Sequence, residues 1–460
     1  MKRLDIEPSN HAIRESIRAD KAGRNRDIID FIKLLAETKG PFSYMIDAPW
    51  GDGKTFFIMS VKHVIETANP YINPDKEEPT SDLDPILSEL ENSDTLFLPF
   101  YFNAWENDFA DNPITALFAN MAIEFERKDL LKKREIIHCI TAILDAGLKL
   151  KQIPLGTSAI ANNFRGKDLI QSYREQFEMR QRINRLAEGS FLEVANKIII
   201  FIDELDRCRP DFAVKLLEQT KSLFTSENII LVFSTDSIQL SKAIGGAYGP
   251  EFDSLRFLER FYDAKVSMPP IDAYGFVNKP SSAFEFNALD DLTKELLKSR
   301  TLSIRDIQRI NYKLNSLQKL MLIDMTSEWQ NRFAQCALLP VLIFIEREDA
   351  GLFRDITRGT NPEALYNYGK RYLAFEKRIR DAVSYHRAYP QEGEREEPTS
   401  EECRRFVRDF CIILYGKKNT PEYEESKRRL DFPSFTSTER KIYNQLDFSA
   451  RLRELESRFS

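Results

Sequence analysis

Apolar residues run along this chain in two rhythms, and the change between them divides it. Between about 40 and 270, short unbroken apolar runs alternate with helical stretches. F-S-Y-M-I-D at 42 to 47 is the first run, followed by a glycine-containing loop and a helix expected over 54 to 67. T-L-F-L-P-F-Y-F-N-A-W at 95 to 105 is the second. K-I-I-I-F-I-D at 197 to 203 is the most strand-like. Its continuous β-branched and aromatic residues predict a strand covered on both faces. N-I-I-L-V-F-S-T at 228 to 235 repeats the pattern after a helix expected over 210 to 224. D-A-K-V-S-M-P at 263 to 269 is a weaker fifth run. Strands alternating with helices predict a parallel sheet wrapped by helices. Upstream, Ile28, Ile29, Ile32 and Leu35 recur at helical spacing within 20 to 37. Beyond Pro270 the strand rhythm stops, and 285 to 460 read as helices; L-L-P-V-L-I-F-I at 338 to 345 reads as a buried one.

This rhythm predicts an α/β fold: a five-stranded parallel sheet flanked by helices over 1–270, then an all-helical C-terminal region. A polar, proline-containing surface insertion is expected at 70–94 and a helical insertion at 113–190. A helical lid-like domain follows at 271–388, then a charged linker and C-terminal helices at 389–460. The dense charges between 127 and 187 read as a solvated helical pair, or as a lever or partner surface.

Charge narrows the partners. The 66 basic and 72 acidic residues give a net charge of -6. That argues against a histone-like grip on nucleic acid, leaves a local basic face open, and gives no positive sign of a nucleic-acid partner. The five cysteines are scattered, with no C-x-x-C pair, which fits a reduced, cytoplasmic location. No stretch reaches the about 20 apolar residues of a membrane span, so no transmembrane segment is expected. The four histidines lie too far apart in sequence to suggest a metal site.

Candidate chemistry sits at the ends of the strand runs. In A-P-W-G-D-G-K-T at 48 to 55, Ala48, Gly53, Lys54 and Thr55 fit the P-loop spacing, with alanine in place of the first glycine. A plain strand–helix turn is the alternative reading. A phosphate cradle explains more. Backbone N–H groups at the start of a helix point at phosphate oxygens, and Gly51 and Gly53 allow close approach. Lys54 would place a point charge between phosphates, and Thr55 would offer an oxygen to Mg²⁺. The candidate nucleotide-binding residues are therefore Ala48, Pro49, Trp50, Gly51, Asp52, Gly53, Lys54, Thr55 and Phe56. The 197 to 203 run ends in two carboxylates. Asp203 fits the aspartate that orders Mg²⁺, and Glu204 the general base that polarises the attacking water. After 228 to 235, Thr235 either reads the terminal phosphate or joins Ser234 and Asp236 in capping the next helix.

The chain resembles the KAP family of P-loop NTPases. The resemblance rests on A-P-W-G-D-G-K-T, F-N-A-W at 102 to 105, F-I-D-E-L-D-R-C-R-P at 201 to 210, L-V-F-S-T-D at 231 to 236, F-L-E-R-F at 257 to 261 and L-S-I-R-D-I-Q-R at 302 to 309. It covers roughly 20 to 350. It implies an ATPase related to AAA+ and STAND proteins, with ATP and Mg²⁺ as ligands. It also implies a sheet with an extra strand between the P-loop strand and the Walker B strand. Many members carry membrane spans between P-loop and Walker B; here 113 to 190 fills that place without any. By analogy with related ATPases, Arg260 would point at a neighbouring protomer's terminal phosphate, or else anchor its helix end to Glu259 or Asp263. Arg305, behind a Ser303–Asp306 cap, would reach the phosphate from a lid, or else form an ordinary salt bridge. Asn103 would reach the site. Trp105 reads as a core aromatic, and Asp206 and Arg207 as subunit contacts or plain surface charges.

The resulting expectation is a Mg-dependent ATPase, a nucleotide-driven switch or assembly motor. It would act as a homo-oligomer beside a separate effector chain. Several bacterial relatives act in anti-phage defence, so that setting is also implied. The alternative is a nucleotide-binding scaffold with little turnover; Glu204 argues against it. A small-acceptor kinase is disfavoured by the paired carboxylates. No N-K-x-D or T-K-x-D element follows Asp203, so adenine is expected over guanine.

Overall fold

The computed structural model describes residues 8–20, 22–72, 95–127, 166–185, 194–249, 251–268, 271, 291–299, 302–323, 333–386, 397–417 and 419–430. Most of the 70–94 insertion lies outside the described residues. So do the greater part of the 113–190 insertion, much of the 389–402 linker, and the last 30 residues of the chain, 431–460. The chain divides into two compact units, the first Ile6–Ile271 and the second chiefly Phe284–Ser460.

The first unit is built on one sheet. Its strands are β1 (Phe42–Asp47), β2 (Phe97–Asn103), β3 (Lys197–Asp203), β4 (Ile229–Thr235) and β5 (Ala264–Ser267). They pair in the order β2-β3-β4-β1-β5, all parallel. β4 thus separates the P-loop strand β1 from β3, as the family resemblance implies. The apolar runs set the boundaries: β1 and β3 coincide with their predicted limits, and the other three shorten by one to four residues.

Helices cover both faces, and the strand alternation sorts side chains between them. Ile198, Ile200 and Ile202 of β3 join Phe100, Phe102, Met45 and Phe233 on one face. That face packs against α4 (Pro113–Arg127), α6 (Pro210–Leu223) and α7 (Ser237–Tyr248). Ile199 and Phe201 join Ile46, Tyr44 and Val232 on the other. That face packs against α1 (Asn10–Arg18), α2 (Asn25–Glu37) and α3 (Lys54–Ala68). Full burial of a Phe201 side chain contributes on the order of 1.5–3 kcal/mol, and such residues line both sides of β3. This is why β3 shows no polar alternation. α4 and α5 (Gly166–Arg185) are the described parts of the helical insertion, and α8 (Ser254–Leu258) leads into β5.

The second unit is helical throughout its described residues. It contains α9 (Asp291–Lys298), α10 (Ile304–Ile323), a π turn at Ala334–Leu338, α11 (Leu339–Glu348) and α12 (Ala350–Thr357). α13 (Ala364–Gly369), α14 (Leu373–His386), α15 (Ser400–Tyr415) and α16 (Pro421–Arg429) follow. Phe344, Phe375 and Phe410 are fully buried in it. The expected cap at Ser303 forms: its hydroxyl accepts from the Asp306 N–H at 3.1 Å, while Asp306 accepts from the Ser303 N–H at 3.4 Å. α15 carries a complete capping box between Thr399 and Glu402. Buried Asp409 ties α15 to α16 through Ser426 and Arg429, both at 2.9 Å. No helix among the described residues is long and apolar enough to cross a membrane.

Candidate active site

Parallel pairing in register brings the strand ends into one row. Asp47 lies opposite Thr235, Asp203 opposite Ser234, and Asn103 opposite Asp203. Asp47, Asn103, Asp203 and Thr235, far apart in the sequence, therefore share the carboxyl end of one sheet, where open α/β folds hold their ligands.

The loop after β1 is a left-handed turn made by glycine. Gly51 has φ 93° and Gly53 φ 81°, conformations costly for any residue with a Cβ. The turn delivers Lys54 as the first residue of α3. Lys54 is buried, and its ammonium donates to the carbonyls of Ala48 at 2.5 Å and Pro49 at 3.2 Å. Thr55 and Phe56 sit half-buried in the first turn of α3, and Pro49 is exposed. The Asp52 carbonyl accepts from buried Arg24 at 2.9 Å, a support that sequence spacing gave no reason to single out. Asp47 anchors the other end of the loop. It accepts from the Ser237 N–H at 2.7 Å and hydroxyl at 2.9 Å, and pairs with Lys265 at 2.6 Å. Burial pushes its carboxyl up, but these partners outweigh it and hold the pKa below the ordinary value.

Asp203 is 1% exposed at the end of β3. Burial raises its pKa above the ordinary carboxylate value. The Thr55 and Ser234 hydroxyls, the Glu204 N–H and the charge of Lys54 oppose that rise. The Ser234 hydroxyl does so from nearby, without meeting hydrogen-bond geometry. Tyr101 donates its hydroxyl to Asp203 at 3.2 Å.

Glu204 departs from the strand with φ 61°, ψ 29°. A left-handed glutamate is uncommon and persists only where its surroundings fix it. Its N–H donates to the Ser234 carbonyl at 3.2 Å and to Asp203 at 3.0 Å. Its carboxylate pairs with Arg207 at 2.8 Å and accepts from the Asn103 amide at 3.4 Å. The Asn103 carbonyl oxygen accepts from the N–H groups of Trp105 and Glu106 at 3.1 and 3.2 Å. That leaves its amide NH₂ facing Glu204. Burial raises the Glu204 pKa, Arg207 opposes it, and Asp203 adds to it.

The turn Leu205–Arg207 corrects two expectations. Asp206 is no surface charge: it is 8% exposed, and its carboxylate accepts from the Trp50 indole and from the Asp236 N–H at 3.2 Å. Trp105 is no core aromatic: it is 50% exposed and lies under the Arg207 guanidinium, 5.4 Å from the ring centre. Phe100, Phe102 and Ala104 fill the core at that strand end instead.

At the end of β4 the capping role falls on Asp236 and not on Thr235. Asp236 caps α7, accepting from the N–H groups of Ile238 and Gln239 at 3.1 and 3.0 Å. The Thr235 hydroxyl is fully buried with no hydrogen-bond partner among the described residues. A buried orphan hydroxyl is costly, and this one ends the strand beside the phosphate loop.

Arg260 lies exposed in the turn after α8; its N–H donates to the Phe257 carbonyl at 3.2 Å, and its guanidinium has no ion-pair or hydrogen-bond partner among the described residues. It does not anchor to Asp263. That carboxylate accepts from the Ser43 N–H and hydroxyl at 2.8 and 2.7 Å and pairs with Lys221 at 3.1 Å. Arg305 occupies the first turn of α10, in the second unit.

The site fits a magnesium nucleotide. Mg²⁺ takes one or two protein oxygens and keeps waters and phosphates for the rest, and Thr55 and Asp203 would supply such a pair. Among the described residues no cluster of three or more His, Cys, Asp or Glu could hold a metal instead. No curated protein matches this chain. The KAP family P-loop domain does match, over residues 25–322, about two thirds of the chain, and the chain belongs to that family.

Proposed function

We propose that this protein is a Mg²⁺-dependent ATPase that works as a nucleotide-driven switch in a larger assembly. One observation carries the reading. A glycine-turned phosphate loop and an adjacent Asp–Glu pair share the carboxyl end of the sheet with the buried Thr235 hydroxyl, which has no partner among the described residues. A site for binding alone needs the loop and Asp203; it does not need Glu204.

The residues divide the work. Loop N–H groups and the α3 N-terminus bind the phosphates. Lys54 exchanges its loop carbonyls for phosphate oxygens. Thr55 and Asp203 would hold Mg²⁺, which supplies positive charge to the transferred phosphoryl. Glu204 orients and deprotonates water, and its raised pKa brings it closer to neutrality, where a general base works best. Thr235 offers its free hydroxyl to the terminal phosphate or the attacking water.

Arg260 extends the proposal to a homo-oligomer. An exposed guanidinium with no partner among the described residues suits delivery to a neighbouring protomer's phosphate, where it would contribute about 10³–10⁵ in rate. The test is phosphate release with Mg²⁺-ATP. Turnover should rise with protein concentration. A mixture of Arg260→Ala and Lys54→Ala chains should recover activity that neither has alone. No phosphate release from the wild type defeats the ATPase reading. Concentration-independent turnover by a monomer leaves the ATPase and removes the role of Arg260.

A further inference from the structure

We infer that Asp206 is a positioning residue which, through the Trp50 indole, couples the phosphate loop to the turn that carries the general base Glu204; the inference rests on the ATPase reading above. Asp206 lies two residues past Glu204 and is nearly buried. A buried carboxylate is costly unless its oxygens are hydrogen-bonded. One oxygen, Oδ2, takes both bonds: one from the Trp50 indole N–H in the phosphate loop, the other from the Asp236 N–H at the start of α7. A single atom thus ties together three segments that converge on the site from distant parts of the chain.

The Trp50 side of this tie has no ordinary packing explanation. A tryptophan placed for stability buries its ring, whereas this one is 48% exposed. Its fixed feature is the indole nitrogen. The loop that carries it is the part of the molecule whose N–H groups would turn onto phosphate.

The Glu204 side has no slack. Its left-handed backbone is held from both ends of the turn. Its own N–H is bound to Ser234, its carbonyl accepts from the Arg207 N–H at 3.1 Å, and fully buried Leu205 follows it. A shift of Asp206 must therefore be absorbed at Glu204, the strained residue and the one with the chemistry. Movement of Trp50 when phosphate enters the loop would reach the general base through one hydrogen bond.

The experiment uses the full chain with Trp50→Phe, which keeps a ring and removes the donor, and Asp206→Asn, which keeps the shape and removes the charge. Each should lower kcat by about 10- to 100-fold, the scale of one charge-assisted hydrogen bond. KM should change by less than about threefold, because the phosphate contacts remain. The double variant should be no slower than the worse single. In protein with ¹⁵N-labelled tryptophan, the Trp50 indole resonance is identified by its loss in Trp50→Phe. It should move in nucleotide-free Asp206→Asn, and the shift that ADP or ATP causes in the wild type should shrink there. Additive losses, unchanged kcat, or an indole resonance indifferent to both Asp206→Asn and nucleotide would overturn the inference. Were the wild type to bind nucleotide without hydrolysing it, the ATPase reading alone would fail, and the nucleotide-induced indole shift would decide the coupling. Should Asp206→Asn not fold, Trp50→Phe at its half-exposed position gives the same kcat and KM comparison.

Discussion

The phosphate loop and the turn after β3 lie at the same end of the sheet, and they are held in opposite ways. The loop is shaped mostly from within: two left-handed glycines set its path, and Lys54 bonds the carbonyls of Ala48 and Pro49 a few residues back. The turn is shaped mostly from outside. Ser234, Asn103, Trp50 and Asp236 hold it from at least 30 residues away in sequence. A site can thus place binding on a locally encoded element and chemistry on one that exists only when the fold is complete. Binding should then survive perturbations that stop turnover, and the reverse should fail.

The largest expected effects test that split. Lys54→Ala should remove measurable nucleotide binding by calorimetry, and turnover with it, while leaving the thermal melt of the protein nearly unchanged. Glu204→Gln should keep Mg²⁺-ATP binding and slow hydrolysis by about 10²-fold or more, the scale of losing a general base. Equal loss of binding in both variants would show that loop and turn are one cooperative element.

A pH profile gives a smaller and more specific effect. The Glu204 carboxyl is held above its ordinary value by burial, with Arg207 pulling it down. In the proposed ATPase Glu204 would work as a base only when ionised, so activity should be lost as pH falls through its folded pKa. The acid limb of kcat should lie above the usual carboxylate range. Removing the opposing cation in Arg207→Ala raises that pKa further, so the limb moves to higher pH. Arg207→Gln should move it the same way. An unmoved limb would mean that the 2.8 Å pair does not govern the base.

How much of this was legible follows the same division. β3 is a run of seven residues whose period and composition both say buried strand, and the loop is a spacing rule with a chemical reason for each residue. Asp203 and Glu204 were legible because they abut such a run. Asp206 was not, because nothing local distinguishes a carboxylate that will meet an indole 156 residues earlier from one that faces water. Trp105 misled for the same reason. An aromatic one residue past Ala104 reads as core, but the strand ends at Asn103 and the chain turns outward into a short 3₁₀ segment.

Arg24 supplies the exception, and with it the smallest expected effect. It precedes the first turn of α2, is nearly buried, and donates to the Asp52 carbonyl from 28 residues upstream. Burial pushes its guanidinium pKa down, while Asp52 and Asp27 push it up. The loop is therefore not wholly self-supporting. Arg24→Met keeps the apolar stem and removes the donor. Asp52 is half-buried, so water can replace the lost bond, and the cost sits near the low end for a hydrogen bond to a charged donor. Nucleotide affinity should fall by about 3- to 10-fold, with kcat at saturating nucleotide little changed. That outcome makes Arg24 a brace on a loop whose shape its glycines already specify. A loss as large as that of Lys54→Ala would mean that the loop, like the turn after β3, takes its shape from distant residues, and the contrast between the two would disappear.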